Sequence, residues 1–361
     1  MILVNFEIYD FRNYQFARIE SIPPGIVAIV GNNGQGKTSI IEAIGYLSNK
    51  NSFRGASKDV IIRYGQDQSV IRGGFVSSLG RDLLIEASIS KTHPDKFFIN
   101  KQQQSRVSHV SNTVPTTIFS SNDIEVVRGS PSLRRNFLDS GVSMIYPKGD
   151  SVISAVEKIL RQRATLLKQS GGKLTPEISA TLEVWDRQLS FYGEQLVKFR
   201  QDLLNLISPY ISKAYKEISE SGDQMSLAYA KSWDGDLIDE LGKSRAEDLR
   251  RQVNSIGPHR DDLEINLNNH PVKHNGSQGE QRTAAFALKV ALHSLYRETT
   301  GEDPILLLDD VFSELDEDRS MALLGSISAK QTFITTTGTI PGVVEPSLRI
   351  SVKKGSIVDT L

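Results

Sequence analysis

Residues 31–39 read Gly31-Asn32-Asn33-Gly34-Gln35-Gly36-Lys37-Thr38-Ser39. Gly31 and Gly36 bracket four residues and Lys37-Thr38 follows, which is the Walker A spacing. Glycines let successive backbone N–H groups turn inward and cradle phosphates, and a helix starting there aims its positive end at them. Lys37 would reach the β- and γ-phosphates, and the Thr38 hydroxyl would ligate Mg²⁺. All nine residues, Gly31 to Ser39, are candidate ATP contacts. The competing reading is a glycine-rich turn that binds nothing. The surrounding chain favours chemistry: Gly25 to Val30 is a short apolar run fit for a buried strand. Ile40, Ile41, Ile44 and Leu47 then recur at helical spacing.

Leu306-Leu307-Leu308-Asp309-Asp310 has the form of a Walker B strand. It would deliver Asp309 to Mg²⁺ and place Asp310 where a carboxylate can polarise an attacking water. Ser277-Gln278-Gly279-Glu280-Gln281 precedes an Ala/Leu-rich helix, a short way before that strand. ABC-type ATPases carry their signature in this place, where it meets the γ-phosphate held by the other subunit. A serine at a helix start caps the backbone, and glycine permits close approach. Ser277, Gly279 and Glu280 are therefore candidate nucleotide contacts in trans. So is Asp316 of Ser313-Glu314-Leu315-Asp316, placed as the D-loop is in that class. The next strand ends Thr335-Thr336-Thr337-Gly338, without the histidine many of these ATPases use as a switch. Slow hydrolysis is expected.

These motifs need a scaffold. The 361 residues suffice for two domains. There is no cysteine, which excludes disulfides, thiolate zinc sites and cysteine nucleophiles. No stretch approaches the ~20 apolar residues of a membrane span. Nor does a basic region precede a hydrophobic core at the N-terminus. A soluble cytoplasmic protein without membrane contact is expected. The formal charge is −1, so any nucleic-acid surface must be a local patch.

Ile2 to Tyr9 alternates as a strand does, and further strand-like runs fill Gln68 to Ser90. Val152, Ile153, Val156, Ile159, Leu160 and Leu167 mark an amphipathic helix. Leu182, Trp185, Leu189, Tyr192, Leu196, Phe199, Leu203, Leu206 and Tyr210 form a heptad seam. Gly193 weakens that seam, and Pro209 is expected to end or kink the helix. The fold class is α/β: an ABC-type P-loop ATPase head over residues 1–119 and 255–361. A mostly helical second lobe with a short coiled-coil-like arm is inserted at 120–254.

Four further segments resemble the RecF family. They are Gly129-Ser130-Pro131-Ser132-Leu133-Arg134-Arg135 through Asp139, Val184-Trp185-Asp186 with Leu189, Gly257-Pro258-His259-Arg260-Asp261-Asp262-Leu263, and Leu306 to Asp316 followed by Thr335-Thr336-Thr337. They span nearly the whole chain in order. His270 to Gly276 departs from the family's usual sequence. The resemblance implies ATP-dependent homodimerisation and binding to single-stranded or junction DNA. It also implies cooperation with RecR and RecO in loading recombinase.

Arg134, Arg135, Lys158, Arg161, Lys168, Arg250 and Arg251 are candidate DNA-phosphate contacts, with Arg54 and Arg63 behind them. Each could equally be a solvated basic face. His259, Asp261 and Asp262 lack metal-ligand spacing and read as a structural ion-pair turn. Two other functions compete: the motor subunit of an ABC transporter, and a structural DNA-linking head related to SMC proteins, whose coiled coils would normally be far longer.

Overall fold

The computed structural model describes residues 1–104, 113–219, 221–313, 315–338, 340 and 345–360. It divides into two compact units. The first is Met1–Asp123, Lys213–Gly222 and Phe286–Leu361; the second is Ile124–Ser212 and Asp223–Ala285.

The first unit holds two six-stranded sheets. Strands β1 (Ile2–Phe11), β2 (Tyr14–Ile19), β4 (Gln68–Val76), β5 (Asp82–Ser90), β6 (Lys96–Ile99) and β7 (Gln102–Gln103) form an antiparallel sheet of order β2-β1-β4-β5-β6-β7. Strands β3 (Gly25–Val30), β8 (Thr116–Ser120), β12 (Ile305–Asp309), β13 (Gln331–Thr336), β14 (Leu348–Lys353) and β15 (Ser356–Thr360) form the second, of order β15-β14-β3-β13-β12-β8. All its pairs are parallel except β14 with β15. Parallel strands buried on both faces favour near-continuous apolar runs, and β12, buried at every position, is apolar up to Asp309.

Helix Lys37–Asn49 follows β3 and joins both sheets in one core. Its Ile40, Ile41, Ala43, Ile44 and Leu47 cluster with Leu3, Phe6 and Ile8 of the antiparallel sheet and with Leu307 and Phe333 of the parallel one. Burying such side chains stabilises by roughly 1.5–3 kcal/mol each. This fixes the helix and, with it, the glycine-rich loop at its start. Glu42, fully buried on the same helix, is paired by Arg12 at 2.8 and 2.5 Å and by the Ser52 hydroxyl at 2.5 Å.

The second unit is mostly helical. It contains helices Pro131–Ile145, Gly149–Gln169 and Leu237–Arg251, and most of the 44-residue helix Pro176–Ser219. The expected heptad seam does not pair with one other helix. Leu189 and Leu196 share one buried cluster with Val152, Val156 and Ile159 and with Trp233, Leu237 and Leu241. Leu167, Leu182 and Leu249 form a smaller cluster of the same three helices. An apolar stripe this wide suits packing between two neighbours. Pro209 lies inside the long helix and does not end it. Ile207 and Ile211 on either side are buried, which offsets the roughly 3 kcal/mol a mid-helix proline costs.

The second unit extends past the expected return to the head at residue 255. Strand β10 (Asp262–Leu267) pairs antiparallel with β9 (Met225–Ala230), from Asp262 opposite Ala230 to Leu267 opposite Met225. That ladder, closed by β11 (His270–Pro271), holds residues 255–285 in the second unit, Ser277 to Gln281 included. Among the described residues, no helix is long and apolar enough to cross a membrane.

Candidate functional site

In the first unit, β3 ends at Val30 and the loop Gly31–Gly36 leads into helix Lys37–Asn49. Gly34 and Gly36 have φ of 76° and 115°, a region open to glycine. At Gly36 a Cβ would also lie 2.8 Å from Asn13 Nδ2 and from the Tyr14 ring, so only glycine fits. The loop is braced from outside through Gln35. Its side-chain oxygen accepts from the Lys354 backbone N–H at 2.7 Å, and its carbonyl accepts from Gly355 N–H at 2.9 Å and Asn13 Nδ2 at 3.2 Å. The Tyr14 hydroxyl donates to the Gly36 carbonyl at 3.1 Å.

Lys37 is buried, and its ammonium donates to the carbonyls of Gly31 at 2.6 Å and Asn32 at 3.0 Å. Burial lowers its pKa, opposed by the charges of Asp310 and Asp309. The Thr38 hydroxyl donates to Asp309 Oδ1 at 2.8 Å, linking the helix start to the end of β12. Thr335, on β13, donates its hydroxyl to the same oxygen at 3.0 Å and accepts from the Asp310 backbone N–H at 2.8 Å. Asp309 is 8% exposed, and burial raises its pKa against the bonds from Thr38 and Thr335 and the charge of Arg54. Asp310 is exposed and carries φ of 53°, unusual for a residue with a Cβ.

This arrangement fits a magnesium nucleotide. Thr38 and Asp309 supply hard oxygen donors, the kind Mg²⁺ selects. No group of three or more His, Cys, Asp or Glu able to hold a metal occurs among the described residues. Mg²⁺ here would take the rest of its shell from phosphate oxygens and water, as it commonly does.

In the second unit, Ser277 and Glu280 form a capping box. Ser277 N–H donates to Glu280 Oε2 at 2.6 Å, and Glu280 N–H donates to Ser277 Oγ at 3.3 Å. Ser277 is exposed at the start of helix Gln278–Thr300. In the first unit, Ser313 donates to the Asp310 carbonyl at 2.8 Å. Asp316 caps helix Glu317–Ser326, accepting from Arg319 N–H at 2.8 Å. Glu314 lies outside the described residues.

The basic candidates separate sharply. Arg134 is 6% exposed and grips Asp262 with both arms, at 2.7 and 2.8 Å, while donating to the Gly129 carbonyl. Its guanidinium is committed inside the unit, which removes it from the DNA candidates. Arg135 donates to the Asp261 carbonyl at 2.7 Å, and burial lowers its pKa. Arg250 and Arg251 are exposed and share Glu247. Lys158, Arg161 and Lys168 are exposed on one helix. Arg63 pairs with Asp10 at 2.7 Å, and Arg54 is exposed.

The block Gly257 to Asp262 ties the second unit together. Asp261 accepts from the Ser232 N–H at 2.8 Å and from the Tyr229 hydroxyl, and Arg200 donates to the Pro258 carbonyl at 2.8 Å. His259 contacts the Asn254 carbonyl at 3.0 Å, and burial holds its pKa at about 4.

The profile of the RecF/RecN/SMC N-terminal domain family matches residues 2–343. The DNA replication and repair protein RecF of Cutibacterium acnes is 35% identical over 93% of this chain and 92% of its own length. That of Streptomyces avermitilis is 34% identical over 99% of each. The chain belongs to the RecF family. A solved structure of the recombination mediator protein RecF with ATP, in the RecFOR pathway, is 30% identical, with a TM-score of 0.91 over 99% of this chain and 97% of that one. An SMC head bound to a winged-helix domain of ScpA is 16% identical with a TM-score of 0.58, a likeness of fold. The fold is the RecF and SMC type of ATPase head.

Within this RecF-family chain, sequence reasoning named Thr335 and Gln35 but missed the contact of Thr335 with Asp309 and the brace at Gln35. The threonine-rich end of β13 was visible, but its hydroxyl contact with Asp309 depends on β12 and β13 being neighbours. Nothing near Gln35 in sequence points to Lys354 and Gly355.

Proposed function

We propose that the chain is an ATP-switched DNA-binding protein of recombinational repair, working as a homodimer. The observation that carries this is Asp309, buried and held by the hydroxyls of Thr38 and Thr335 beside the loop of Lys37. Charges held by hydroxyls and carbonyls can be handed to a ligand without breaking an ion pair.

Lys37 exchanges its carbonyl partners for the β- and γ-phosphates, and backbone N–H groups of Gly31 to Ser39 cradle them. Thr38 and Asp309 would hold Mg²⁺, which would supply charge neutralisation to the phosphates. Asp310 orients water and accepts its proton. Asp is shorter than the Glu common at this position, consistent with slow hydrolysis that serves as a reset. Ser277, Gly279, Glu280 and Asp316 of one copy meet the nucleotide of the other. ATP thus bridges two copies, and hydrolysis releases them.

DNA phosphates are met by Lys158, Arg161 and Lys168, with Arg250 and Arg251 exchanging an exposed carboxylate partner for phosphate. Arg135 contributes less, being partly committed. The named pathway of the solved RecF relatives, together with the family resemblance, supports cooperation with RecO and RecR at gapped or junction DNA.

Fluorescence anisotropy with a gapped duplex and Mg-ATP tests the reading. Affinity is expected to fall as salt rises. Lys158→Glu with Arg161→Glu is expected to weaken binding about tenfold or more and flatten the salt slope. ATP affinity should not change. Unchanged DNA affinity and slope would clear that helix of the role.

A further inference from the structure

The turn preceding Ser277 is built around one side chain. Gln281 lies in the first turn of helix Gln278–Thr300 and is 6% exposed. Its Nε2 donates to the carbonyls of Gly276 at 2.9 Å and of Val272 and Lys273 at 3.2 Å each. Its Oε1 accepts from Arg128 Nε. Lys273 in turn donates to the Gly129 carbonyl at 3.1 Å, next to Arg128. At Gly276 a Cβ would lie 2.8 Å from the Val272 carbonyl oxygen and 3.0 Å from Val272 Cγ1, so the turn closes tightly. All these residues belong to the second unit.

We propose that Gln281 is a positioning residue for the contact that Ser277 makes with a second copy of this chain. It rests on the reading that Ser277 acts in trans. A guanidinium has donors only, so Arg128 admits a single orientation of the Gln281 amide, with oxygen toward Arg128 and nitrogen toward the turn. The amide nitrogen then gathers three carbonyls of residues 272–276 and sets the path on which the chain enters Ser277. The capping box fixes Ser277 relative to its helix. Gln281 fixes the turn on the other side. Removing the amide takes the side-chain donor from the half-buried Lys273 and Gly276 carbonyls and leaves the Val272 carbonyl to the Gly276 N–H alone, so the turn loosens to reach water. The exposed serine then loses its defined place while the nucleotide loop in the first unit keeps its own supports.

The test uses Gln281→Met, which keeps length without polarity, and Gln281→Glu, which keeps the acceptor for Arg128 and loses both donors. Light scattering with Mg-ATP should show dimerisation weakened about tenfold in both, the scale of a lost buried hydrogen-bonding group. ATP affinity of the monomer should stay within about twofold, a split that general unfolding would not produce. Arg128→Met should weaken dimerisation less, and should add little in the Gln281→Met background because the two act as one unit.

Wild-type dimerisation in Gln281→Met and Gln281→Glu overturns the proposal. If Gln281→Met does not fold, wild-type dimerisation in Arg128→Met overturns it instead. Ser277→Arg separates the levels. A Ser277→Arg protein that still dimerises on ATP removes the trans reading and the proposal with it. A Ser277→Arg protein that fails to dimerise, beside Gln281 variants that succeed, removes the proposal alone.

Discussion

Lys37 and Asp309 in the first unit contrast with Arg163, Asp186 and Asp248 in the second. Lys37 donates to two backbone carbonyls, and Asp309 accepts from two threonine hydroxyls. Arg163, fully buried, donates to Asp186 at 2.8 Å, to Asp248 at 2.6 Å and to Asn254 at 2.8 Å, and Arg245 closes on Asp186 from another side. Arg200 with Asp139 and Arg134 with Asp262 repeat the pattern. Charges neutralised by other charges hold architecture together, because freeing one strands the other. Charges held by neutral dipoles remain available to a ligand of opposite sign. Buried charge in this chain therefore has two uses, and the partner tells them apart.

The largest effect expected from this contrast is on stability. Arg163→Met strands the buried carboxylate of Asp248, leaves Asp186 to Arg245 alone, and should cost the second unit about 3–5 kcal/mol in denaturant unfolding. A loss under about 1 kcal/mol would show that its ion pairs are not structural. Lys37→Ala should behave oppositely. Its stability should change by less than about 1 kcal/mol, while ATP affinity measured by calorimetry falls about 100-fold or more, because the phosphates lose their main charge partner. Near-normal ATP affinity in the folded variant would sink the reading of the loop.

A smaller effect concerns pH. Burial lowers the His259 pKa from 6.5 to about 4, helped by the charges of Arg260 and Arg135 and opposed by the Asn254 bond. The unfolded chain therefore takes up the proton first as pH falls. The stability contribution is complete above pH 6.5 and is lost as pH drops toward about 4. His259→Gln should flatten that part of the unfolding profile. A profile identical to wild type would mean that His259 is not held neutral by burial.

How much of this was legible in sequence depended on the range of the interactions. The loop Gly31–Gly36 could be read because its conformation is written into glycines at Gly34 and Gly36 themselves. Strand β12 could be read because its buried run Ile305 to Leu308 is apolar without a break before Asp309. The fate of Arg134 could not: its partner Asp262 is 128 residues away, and nothing local distinguishes a committed guanidinium from a free one. The second unit's extent was hidden for the same reason, since it rests on β10 pairing with β9 across an intervening helix. The heptad seam announced a packed helix correctly but did not show that it serves two neighbours.

On the proposed function, ATP bridges two copies of this chain through Ser277. Light scattering of the wild type and Ser277→Arg, with and without Mg-ATP, tests it most directly. The wild type should shift from monomer to dimer on adding Mg-ATP, and Ser277→Arg should bind ATP yet remain monomeric. The arginine removes the cap hydroxyl and blocks close approach at both sites of a two-fold interface. A stable ATP-dependent dimer of Ser277→Arg would reduce Ser277 to Gln281 to a helix start and contradict the account.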